Sequence, residues 1–91
     1  MPSDENAGTQ FLTATLSFIV TELEVAETFA GIALESDNRE KILRNTKNAR
    51  TGYETILRFL DIIPLEMRKQ KYIAQRLTSL KSKLVELGED V

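Results

Sequence analysis

Residues 12–33, LTATLSFIVTELEVAETFAGIA, carry apolar or small side chains at Leu12, Leu16, Ile19, Leu23, Ala26, Ala30 and Ala33. The steps alternate between four and three, the period of one face of an α-helix. Residues 42–63, ILRNTKNARTGYETILRFLDII, repeat the pattern at Ile42, Thr46, Ala49, Tyr53, Ile56, Leu60 and Ile63. Paired in opposite order, the two series have residue numbers adding to 75 or 76 at every step. Two antiparallel helices folded about a turn at residues 36–38 require that constancy. Residues 12–20 also alternate in the manner of a strand, but no other segment alternates long enough to pair with them, and an unpaired strand cannot satisfy its backbone.

A third series, Ile73, Leu77, Leu80, Leu84 and Leu87, runs up to Gly88 and pairs with the second by the same rule. The layers then read Ile19, Ile56, Ile73; Leu23, Tyr53, Leu77; Ala26, Ala49, Leu80; Ala30, Thr46, Leu84; and Ala33, Ile42, Leu87. Leu from the third helix stands where the first two offer small residues, so volume is partly balanced across the layers. The sequence therefore predicts an all-α, three-helix up-down-up antiparallel bundle with long helices over residues 9–36, 38–62 and 64–88. Residues 1–8 are expected as a flexible N-terminal tail and 89–91 as a C-terminal tail.

Asp37, followed three residues later by Glu40, fits an N-cap for the second helix. Pro64 cannot continue that helix, so residues 63–65 read as the second turn. Gly31 and Gly52 each cost a helix about 1 kcal/mol against Ala. Close approach of a neighbouring backbone or plain tolerance would account for either.

The chain has 91 residues, the scale of one domain. Its 42% apolar and 29% charged residues exclude a disordered tail. The uncharged stretch over residues 7–21 is too short and too rich in Thr and Ser to span a bilayer. Asp4 and Glu5 precede the apolar run where a signal peptide needs cations, and the amphipathic pattern continues past it. A cytoplasmic protein with no membrane partner is the expectation.

Enzyme chemistry finds no foothold. The sequence contains no His and no Cys, which removes the commonest general acid/base and the usual zinc ligands. The glycines do not form a phosphate-binding loop. Glu22, Glu24 and Glu27 point around their helix and not at one point, which argues against a metal. A non-enzymatic protein without cofactor or metal is expected.

Two surfaces remain as candidates. Phe11, Phe18, Val25 and Ile32 recur every seven residues beside the first seam, with Phe29 among them. This stripe suits an interaction or assembly module that binds itself, as a homodimer, or another helical protein. Leu43, Leu57 and Phe59 are left over on the second helix in the same way. The alternative is a basic tip formed by Arg58, Arg68, Lys69 and Lys71, binding an anionic ligand or nucleic acid. Residues 1–38 carry seven carboxylates and no cation, a net of −7, while residues 39–91 carry twelve cations and seven carboxylates, a net of +5. Such segregation suits internal complementarity, with Arg50, Arg76 and Lys83 in reach of Glu22 and Glu27, and i,i+4 pairs at Glu40–Arg44 and Glu54–Arg58. The overall charge of −2 and the absence of an aromatic stacking platform argue against nucleic acid.

Ala49, Tyr53 and Ile56, within Ala-Arg-Thr-Gly-Tyr-Glu-Thr-Ile-Leu, resemble the second helix of a tetratricopeptide repeat. The resemblance covers fewer than a dozen residues. The preceding helix lacks the Trp, Leu-Gly and Tyr of that family, and Pro64 falls three residues late, so no family is assigned.

Overall fold

The computed structural model describes residues 3–63 and 66–91. Three helices follow one another, α1 (Ser3–Glu35), α2 (Arg39–Ile62) and α3 (Met67–Glu86). α1 packs most extensively on α2, less on α3, and α2 meets α3 least. The result is an elongated three-helix bundle of 58 × 21 × 16 Å.

The seams form the core. Ile19, Leu23, Ala26, Ala30, Ala33, Ala49, Ile56, Ile73, Leu80 and Leu84 are almost completely buried, and Tyr53, Leu77 and Thr46 nearly so. Each fully buried aliphatic chain contributes about 1.5–3 kcal/mol, and packing on this scale, more than helix propensity, holds such helices together. Ile42 and Leu87, in the end layer, are half-buried. At the opposite end the seam gives out early: Leu12 is exposed and Leu16 half-buried. α1 has 33 residues against 24 in α2 and 20 in α3, so at 1.5 Å per residue it outruns both neighbours. Thr15 is buried there, its hydroxyl donating to the Phe11 carbonyl at 2.8 Å.

Gly52 accounts for the close approach of α1 and α2. A Cβ built there would stand 3.0 Å from the Ala26 Cβ and 3.8 Å from the Glu22 carbonyl oxygen. Around Gly31 nothing lies within 4 Å of such a Cβ, so that glycine is tolerated and not required.

Several boundaries differ from expectation. α1 begins at Ser3, so residues 3–8, expected ahead of the first helix, are part of it; Met1 and Pro2 lie outside the described residues. The sequence there, Ser-Asp-Glu-Asn-Ala, is of the composition that favours a helix start. α2 is capped by Asn38 and not Asp37: the Asn38 side chain accepts from the Lys41 N–H at 3.0 Å, while the Asn38 N–H donates to Ser36 Oγ at 3.1 Å. Asp and Asn cap equally well, and Ser36 positions the second of the two. α2 ends with Ile63 extended (φ −108°, ψ 123°), its N–H donating to the Phe59 carbonyl at 3.1 Å, as a residue before proline must be. Of the expected second turn, Pro64 and Leu65 lie outside the described residues. α3 starts at Met67, after Glu66 (φ −60°, ψ 149°), which makes no side-chain cap.

The C-terminal residues are docked. Gly88 adopts φ 91°, the Glu89 N–H donates to the Leu84 carbonyl and the Gly88 N–H to the Val85 carbonyl, both at 2.9 Å. That pair of bonds is a Schellman termination, which needs a residue free to take positive φ. It turns the chain so that Val91 packs on the core and Glu89 meets Arg50.

Candidate functional site

The stripe lies on the flank of α1 turned away from α3. α3 covers the other flank, where Arg76 Nη2 meets Glu27 Oε2 at 3.0 Å and Arg76 Nε meets Glu27 Oε1 at 3.3 Å. Their hydrogen bond raises the Arg76 pKa above its ordinary value. Tyr72 adds a second contact, its hydroxyl accepting from Arg76 Nη1 at 2.7 Å and its ring lying 5.7 Å from the guanidinium carbon. Arg76 thus turns to Glu27, as the charge pattern anticipates. Arg50 does not turn to α1. It donates to Glu54 at 2.9 Å, to Glu89 at 3.0 Å and to the Asp90 carbonyl at 3.1 Å, and its pKa is raised by the hydrogen bonds to Glu54 and then Glu89. Glu54 therefore pairs with Arg50 and not with Arg58, and the Glu40–Arg44 pair is not formed among the described residues.

With α3 on one side of the α1–α2 pair, the other side is open. Phe11 is 66% exposed there, and Phe18, Val25 and Ile32 remain exposed. Phe29 is the member that turns inward, half-buried against the core. α2 contributes more than sequence reading assigned to it. The Phe59 ring meets Phe18 edge-on, with centroids 5.1 Å apart and planes at 60°, and Ile62 is 74% exposed. Phe11, Ala14, Thr15, Phe18 and Phe59 line a shallow hollow of about 250 Å³ between the helices. Ile62 escaped notice because it falls in the last turn of α2, far round the helix from the second seam, where it continues no periodic apolar stripe. Glu22 stands on the same face at the stripe's spacing, half-buried, with no hydrogen bond or ion pair among the described residues.

Arg68 and Lys69 line an apolar hollow of about 340 Å³ with Leu16, Val20 and Tyr72, between α1 and α3. Arg58 stands on α2 and does not line it, nor does Lys71. All four are exposed and make no ion pair among the described residues. No group of three or more carboxylates is placed to hold a metal ion among the described residues. Among them, no helix is long and apolar enough to cross a membrane.

No family model matches the chain, and comparison with curated proteins and with solved structures gives no significant match.

Proposed function

We propose that this chain is a small non-enzymatic interaction module that docks a further helix on the open α1–α2 face, in the first place from a second copy of itself as a homodimer. The observation that carries it is the exposure of Phe11, Phe18, Val25 and Ile32 along one helix whose neighbouring seam is buried from Ile19 to Ala33. A row of aromatic and branched side chains over three turns and more is the surface that monomers keep small and that helical partners bury. The reading needs no cofactor, metal, nucleic acid or membrane, and it carries forward the expectation of a cytoplasmic protein.

Sedimentation across a dilution series tests it, with the parent compared to Phe11→Ser combined with Phe18→Ser. The parent should reach dimer mass at high micromolar concentration, and the double variant should stay folded and monomeric. A parent that sediments as a monomer at that concentration, or a variant that associates like the parent, overturns the proposal.

A second reading rests on the four exposed cations, which make no ion pair among the described residues. Binding of an anionic ligand or nucleic acid through Arg58, Arg68, Lys69 and Lys71 would appear as salt-dependent retention on an anionic matrix.

A further inference from the structure

We propose that the second copy sits on the α1–α2 face about a two-fold axis parallel to the helices, so that α1 of each copy lies on α2 of the other. This rests on the reading of that face as the docking surface and specifies its occupant and geometry.

A two-fold contact requires a surface complementary to itself. The open face has unlike edges. Glu24 and Glu35 lie along the outer edge of α1 with Thr28 between them and Thr21 before them, and no cation stands anywhere on that helix. Arg44, Thr51 and Arg58, spaced by seven, run along the outer edge of α2. The four charged groups are exposed and form no ion pair among the described residues. Two copies can stack these faces about an axis in the plane of contact, running either along the helices or across them. Across the helices, α1 lies on α1 and α2 on α2, so each edge meets its own charge. Along the helices the edges exchange, and the acidic edge of each copy lies over the basic edge of the other.

The register supports the exchange. Ala26 faces Gly52, and Phe18 meets Phe59. In that register Arg44 stands nearly level with Glu35, and Arg58 about one turn from Glu24. A rotation about an axis parallel to the helices shifts nothing along them, so Glu35 of one copy comes level with Arg44 of the other. Phe11 and Phe18 close over Phe59 and Ile62 of the second copy, completing a four-helix core in which α1 adjoins α2 of both copies, a helix with excess positive charge. Glu22 is the cost: it lies level with its own copy near the axis, where two carboxylates repel.

Sedimentation equilibrium of charge-reversed chains tests the geometry. Glu24→Lys with Glu35→Lys, and separately Arg44→Glu with Arg58→Glu, should each weaken the dimer at least tenfold, while all four reversals in one chain restore it. Glu22→Gln should tighten it. The substituted positions are exposed or half-buried, and an unchanged melting curve confirms folding. If Phe11→Ser with Phe18→Ser abolishes the dimer but each charge pair dimerises like the parent, the face is right and the axis wrong. If the four-fold reversal stays as weak as either pair, or Glu22→Gln brings no gain, this geometry is likewise overturned. A parent that is monomeric throughout removes both the geometry and the face.

Discussion

The backbone of Gly52 on α2 lies against the methyl group of Ala26 on α1, with 3.0 Å left for any Cβ at position 52. The space is small because the neighbour is itself a Cβ, which cannot swing aside as the end of a long side chain would. Gly52→Ala therefore loses more from overpacking, about 1–3 kcal/mol, than the roughly 1 kcal/mol of helix propensity it gains. Gly31→Ala, in open space, should stabilise by about 0.4–1 kcal/mol. Thermal melts of the two variants should move in opposite directions, and Ala26→Gly added to Gly52→Ala should recover part of the loss.

Leu23 is fully buried and Leu77 nearly so. Either replaced by Ala should cost about 2–5 kcal/mol in urea unfolding. Thr51 and Ser79, on exposed outer faces, should accept Ala within about 0.5 kcal/mol.

Thr46 occupies the core layer with Ala30 and Leu84, and its hydroxyl oxygen has no hydrogen-bond partner although it is shut off from solvent. Thr46→Val keeps the shape and removes the unsatisfied group. A gain of about 1 kcal/mol is expected in the same unfolding assay.

Arg76 and Glu27 join α3 to α1 with both side chains about three-quarters covered. Glu27→Gln should destabilise by about 0.5–1 kcal/mol, and a double-mutant cycle with Arg76→Gln should show the coupling. The folded-state pKa of Arg76 is raised, so its contribution is complete below the unfolded-state value and is lost only as pH rises through the folded one. Titration across the neutral range should therefore leave this contribution flat.

Arg68, Lys69 and Lys71 stand in the first turns of α3, where the helix dipole disfavours cations. Their joint replacement by Gln should leave the melting temperature unchanged or slightly higher, while any retention on an anionic matrix falls. A large loss of stability would show that they are structural.

The period of three seams was enough to place nearly every buried side chain, because burial in a bundle follows spacing alone. Spacing does not say which flank the third helix takes. For that reason Phe11, Phe18 and Phe59 could be recognised as apolar surplus without knowing that α1 and α2 bring them to one face. Nor does it separate Gly31 from Gly52, which differ in what stands opposite and not in their own helices. The choice of Asn38 over Asp37 as cap, and of Glu54, Glu89 and the Asp90 carbonyl as partners of Arg50, depends on reach and turn geometry. Composition could offer several cations for each carboxylate, and only the Schellman turn at Gly88 brings Glu89 within range.

The unequal packing of the helices also divides the molecule in time. α1 and α2 share the largest contact, while α3 touches α2 least and is tied to it near the C-terminus through Arg50. Amide protons of α1 and α2 around Ile19 to Ala30 and Ala49 to Ile56 should then exchange with solvent only through global opening, whereas those of α3 exchange through a cheaper, partial detachment. Burial of Ile73, Leu77, Leu80 and Leu84 sets most of the free energy of that detachment, and Arg50, by holding the residues beyond Gly88, adds to it, so that a surface arginine tunes how often the underside of the hairpin meets water.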